Sequence, residues 1–334
     1  MPGITKLSYV QLGKEGTAGS EAAATVIWRG NGAFEDETEV QFVEENVGYL
    51  SGVDRTAIYK VGGTLPLEDT PATFEQLPYL LDAGVDSVTG VQDGAGSGYI
   101  YTYNFPKTVA DTATPATYTC EAGNNQQEEQ FLYGFVESFG LSGAAGEALN
   151  MNGVFRGRQI ATGTKTASLS LVDVEEIAFS NGKLYIDAVD TAFGTTLKSN
   201  TLLEATLEVD TGLRAVHTGD GALYFTFTKN VGPEITLDIT FEHDTTAVSE
   251  KAAWRAETAR KLRLIFEGST FAQAGTAYSK KTLIIDLVGK WETFEAIGDS
   301  DGNATVSGTF RARYNSTAAA FAQIVIVNAL SALP

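Results

Sequence analysis

The chain has 334 residues, 43% of them apolar and 19% charged, long enough to bury two sizeable cores in an ordinary globular composition. Forty-two acidic against 23 basic side chains leave a net charge of −19, a balance that repels phosphate and excludes a conventional nucleic-acid-binding role. Cys120 is the only cysteine, which excludes an intramolecular disulfide and a cysteine metal cage.

Alternation with period two runs along most of the sequence. Strands are expected at 6–12, 25–29, 38–45, 98–105, 116–122 and 128–139, with Cys120 read as a small buried hydrophobe in "TYTCEA". Further strands are expected at 167–174, 183–189, 202–209, 222–230 and 234–243, then at 261–268, 281–294, 304–315 and 322–328. Two stretches break the pattern. In 70–84, Thr70 is placed as an N-cap and Pro71 at the first helical position, while Pro78 should shorten or kink the helix. In 244–261, Asp244 or a following Thr caps a helix whose buried stripe is expected at Val248, Ala252, Ala256 and Ala259. The fold class expected is all-β with one short helix per half.

The pattern G-x-F-R-x-R occurs at 153–158 and again 155 residues later at 308–313. At the same offset Leu132, Gly134, Glu137, Phe139 and Gly143 meet Leu287, Gly289, Glu292, Phe294 and Gly298, so 28 ungapped positions carry nine identities. Two hairpins can resemble each other merely because strands share a vocabulary of Gly, Phe and Arg. The fixed offset, and the order strand, helix, strand, long hairpin in each half, favour an internal duplication with domains at 1–160 and 161–334.

Chemistry is scarce. Glu242, His243 and Asp244 are adjacent on a strand and point to alternating faces, so they cannot converge on one metal ion without a second segment. "GDSDGNATVSG" (298–308) puts Ala304 and Phe310 where a calcium loop needs Gly and Glu, and reads better as a hairpin turn. No nucleophile elbow, zinc-protease or phosphate-loop motif is present. No enzyme, metal or cofactor is expected. Arg156, Arg158, Arg311 and Arg313 stand at i, i+2 spacing, each pair on one strand face, and are the candidates for pairing with a neighbouring subunit's carboxylates. The amino terminus shows no secretion signal and no apolar stretch is long enough to span a membrane, so a cytoplasmic protein, or one released by another route, is expected.

The segments "KEGTAGSEAA…WRG", "GGTLPLEDTPATFEQLPYLLDAG" and "YTYNF…TYTCEAG…FLYGFVESFGLSG", closing in "LNMNGVFRGRQ", resemble the tail tube (major tail) proteins of long, non-contractile-tailed bacteriophages. The series "LLEATLEVDTGL", "LDITFEH", "KLRLIFEG" and "KKTLIIDLVGKW…VSGTFRARYN" looks like a second copy of the same pattern. The likeness rests on order over nearly the whole chain, since no single motif is diagnostic. It implies tandem β-sandwiches whose inner sheets join between subunits into a barrel, in stacked rings that conduct double-stranded DNA from capsid to host without binding it specifically. Other phage tail proteins would be the partners and the virion tail the location, after assembly in host cytoplasm. Single-domain members close six sandwiches, so a duplicated chain should need three copies; six copies with an outlying second domain is the competing arrangement. An immunoglobulin-like decoration domain, frequent in the family, is not expected after Leu333. A tail terminator, distal tail component or secretion-tube relative is the second reading, and a monomeric ligand-binding or adhesion module the third.

Overall fold

A computed structural model describes residues 2–108, 111, 113–219 and 221–333. In chain order the principal elements begin with β1 (Tyr9–Lys14), β2 (Glu39–Phe42), β3 (Thr56–Lys60), β4 (Gly63–Pro71) and helix α1 (Leu77–Gly84). They continue with β5 (Tyr99–Asn104), β6 (Tyr118–Gly123), β7 (Glu128–Ala144), β8 (Asn150–Gly157), β9 (Gly182–Ala188) and β10 (Leu202–Asp210). Next come β11 (Leu213–Val216), β12 (Phe227–Asn230), β13 (Glu234–Glu242) and helix α2 (Thr245–Arg255). The chain closes with β14 (Arg260–Thr270), β15 (Lys280–Phe294), β16 (Asn303–Ala312) and β17 (Ala322–Asn328). The fold is all-β.

Every pairing between these strands is antiparallel. The first run pairs in the order β1-β6-β7-β8-β4. The second pairs in the order β9-β14-β15-β16-β13. One seam joins the runs, with β10 between β7 and β13; β17 pairs on one side with β15 and on the other with β5, a strand of the first half outside the first run. Followed pair by pair among the described residues, the network branches at β7 and β15 and does not lead back to its starting strand, so sheet edges stay open. Both long strands bulge at the same point of the repeated pattern, at Glu137 between Val136 and Ser138 and at Glu292 between Trp291 and Thr293. A bulge adds an unpaired residue and bends its strand, which lets one strand serve two sheets.

Alternation explains the core. Phe155 on β8 faces Leu65 and Val136; Phe310 on β16 faces Leu237 and Trp291; both phenylalanines are completely buried. Trp291 packs edge-on against Phe310 and Phe294, while Tyr118 plays that part against Phe155. One apolar cluster runs through both halves.

Four expectations need correction. The stretch 167–174 forms no strand: Leu171 is exposed, and alternation without a partner edge leaves no hydrogen-bond ladder. Of 222–230, only Phe227–Asn230 is extended. The first helix starts at Leu77, because β4 continues through Pro71; its N-cap position is Gln76, without a side-chain cap, and Thr73 Oγ1 accepts from Gln76 N at 3.1 Å in the turn that leads into it. Pro78 then sits in the first turn, where its missing N–H costs nothing. In α2, Asp244 caps Ala247 N as expected, but the buried stripe is Ala247, Glu250 and Ala253, with Val248 exposed. Burial there is dictated by a charge: Glu250 accepts from Arg260 Nε and from Trp291 Nε1, each at 3.0 Å.

Candidate assembly surface

The strands β4, β8, β7, β10, β13, β16 and β15 lie side by side, and the strand Glu35–Asp36 adds to the free side of β4. One cross-strand row reads Asn150, Ser142, Thr206, Asp238, Thr309 and Thr293, each directly opposite the next. Opposite partners share a face, so both halves of the chain contribute to a single polar surface. Carboxylates dominate its exposed charges, among them Glu204, Glu208, Glu234, Asp238 and Glu295.

Three arginines of this sheet are held by carboxylates, while Lys290, opposite Arg311, is exposed. Arg156 donates from Nη1 to Glu37 Oε2 at 2.6 Å and from Nε to Glu137 Oε2 at 2.9 Å. Burial opposes its charge, and the two carboxylate bonds outweigh burial and push its pKa up. Arg311 repeats the arrangement in part, with Nε at 2.8 Å from Glu292 Oε2. Glu137 and Glu292 are the bulge residues, so each bulge aims its carboxylate at the arginine one strand away. Arg214 binds Asp210 through two nitrogens at 2.6 and 3.0 Å.

The second arginine of each pair behaves differently. Arg158 lies over the rings of Tyr133 and Tyr224, at 4.6 and 4.9 Å, and donates to the carbonyls of Phe225 and Thr226. It thereby clamps the hairpin β11–β12 of the second half onto the first. Leu213 and Phe225 of that hairpin are buried against Phe135. Arg313, the counterpart, is exposed, and among the described residues its guanidinium has no ion pair or hydrogen bond. The four arginines therefore do not form one site: Arg156, Arg158 and Arg311 are engaged within the chain. The partners Glu137 and Glu292 were already visible as repeat identities, whereas Glu37, Tyr224 and Phe225 lie in segments with no sequence signal tying them to the hairpins.

Elsewhere Asp244 is committed to its helix cap and Glu242 accepts from Asn303 Nδ2. Gly302 N donates to Asp299 Oδ1 in the turn between Gly298–Ser300 and β16, with Asp301 and Gly302 at positive φ. No group of three or more His, Cys, Asp or Glu side chains converges among the described residues, and no helix there is long and apolar enough to cross a membrane. Cys120 is buried, and burial pushes its thiol pKa well up. No family model matches the chain, and no curated protein matches it.

Proposed function

We propose that the chain is a tail tube subunit: two tandem β-sandwich domains, 1–160 and 161–334, that close with further copies into a ring around a DNA-conducting channel. The observation that carries this reading is the polar sheet shared by both halves, acidic on its outer face and open at both ends. An open edge exposes unpaired backbone groups, and closure into a barrel satisfies them. The repeated pairing order, the matching bulges and the equivalent placement of Phe155 and Phe310 support duplication.

Three copies of this eight-stranded sheet give about 24 strands and, at about 4.8 Å per strand, a perimeter of roughly 115 Å before tilt. Such a channel admits a duplex, and a wall on which Arg156, Arg214 and Arg311 are already paired offers few cations to its phosphates. Electron microscopy of the purified protein tests the proposal. Rings or tubes with a central hole are expected; a featureless monomer at all concentrations contradicts it.

A further inference from the structure

The seam between the two halves contains a docking arrangement that is used once within the chain and left vacant once. Thr64 faces Arg156 and Glu35, while Thr236 faces Arg311 and Glu208. Counting five and seven residues on from the two glutamates, Val40 and Phe42 of the β2–β3 hairpin stand where Leu213 and Ala215 of β11–β12 stand. The consequence for burial is opposite. Leu213 is 4% exposed beneath Phe135 and Phe225, whereas Val40 is 52% and Phe42 69% exposed, with Tyr49, Leu50 and Tyr59 exposed on the same hairpin. The receiving side shows the same asymmetry. Arg158 is stacked on two tyrosines and hydrogen-bonded to hairpin carbonyls. Arg313 instead lines an open groove of about 300 Å³ with Gly289, Lys290, Trp291, Glu292 and Tyr314.

We infer that the β2–β3 hairpin of one copy docks into the Arg313 groove of the next, head to tail, as β11–β12 docks on Arg158 within one chain. The occupant is a second copy of this chain because the chain already shows that contact between its own halves. An exposed apolar patch of this kind marks an interaction surface, and stacking an arginine on tyrosine faces favours it over other cations. The same placement lays residues 31–37 along the free side of 293–299, as 204–210 lie along 138–144. Glu35 then faces Glu295, a like-charge pair that weakens the edge, so the apolar hairpin carries the association. A heterologous contact of this type closes into a ring when its rotation divides a full turn, as the ring-subunit reading requires.

The inference rests on the ring-subunit reading, and the test separates the two. The full chain, a V40D/F42D double variant and an R313E variant are compared by sedimentation and electron microscopy, with circular dichroism as the check on folding. Both changes lie on exposed side chains, so the fold is retained. Each variant alone is expected to stay monomeric where the native chain forms rings, its association midpoint raised about tenfold or more. Mixed, they are expected to give two-chain species and no rings, since each brings one intact face. Native-like rings from V40D/F42D overturn the docking inference and leave the ring reading standing. A native chain that never self-associates assigns the hairpin to a different partner and overturns both.

Discussion

Glu250 shows how much one buried carboxylate decides. Its side chain is 3% exposed and holds both Arg260 and the Trp291 indole. Glu250→Ala leaves a guanidinium and an indole N–H without their partner and is expected to cost about 3–5 kcal/mol, read from the urea unfolding midpoint. Apolar periodicity could not find this residue, because a helix face that buries a charge looks polar in sequence; Val248 looked the better core residue and is exposed. Tyrosines supply the pH dependence. Burial, with Glu128 and Glu121 nearby, pushes Tyr9 up to about 12, and burial beside Tyr99 and Asp82 pushes Tyr101 up to about 12. Burial also raises Tyr103 and Tyr118 well above the ordinary value. A folded state that keeps these protons is stabilised below the unfolded phenol value of about 10 and loses that stability as pH rises from there towards 12. Alkaline titration should therefore show part of the phenolate absorbance appearing together with unfolding; ionisation of every tyrosine near pH 10 with the fold intact contradicts the placement.

Among elements, the two G-x-F-R-x-R hairpins were the most legible part of the sequence, because turn chemistry, alternation and an offset of 155 residues all agree there. The structure adds that their registers agree too, down to the bulge. Equivalent burial predicts equivalent cost: Phe155→Ala and Phe310→Ala should each lose about 3–5 kcal/mol, measured by denaturant unfolding. Their arginines should not behave alike. Arg156 is gripped by two carboxylates at 23% side-chain exposure, while Arg311 is 34% exposed with one close partner. Arg156→Ala should thus be the more destabilising of the two. The pairings between the halves were not legible. Pairing of β10 with β7, or of β17 with β5, joins segments far apart in sequence, and alternation specifies a strand's faces without naming its neighbour. The stretch 167–174 makes the same point in reverse, being alternating yet unpaired.

For the whole molecule, the acidic balance was read from composition, but the face that carries it was not, because counting charges says nothing about where arginines find partners. With Arg156, Arg214 and Arg311 paired, the shared sheet presents a net negative wall. The protein should therefore pass through a duplex-DNA column unretained at about 150 mM salt, and micromolar retention there would sink that part of the account. In the proposed tandem arrangement, joining two sandwiches in one chain would raise the effective concentration of the second and favour ring closure. The proposed assembly is a ring of three chains in which six sandwiches alternate between covalent and non-covalent seams. Symmetry determined from averaged end-on images of the assembled protein tests it most directly. Threefold symmetry with a pseudo-sixfold outline is the expected result; a true sixfold ring of this chain would contradict it.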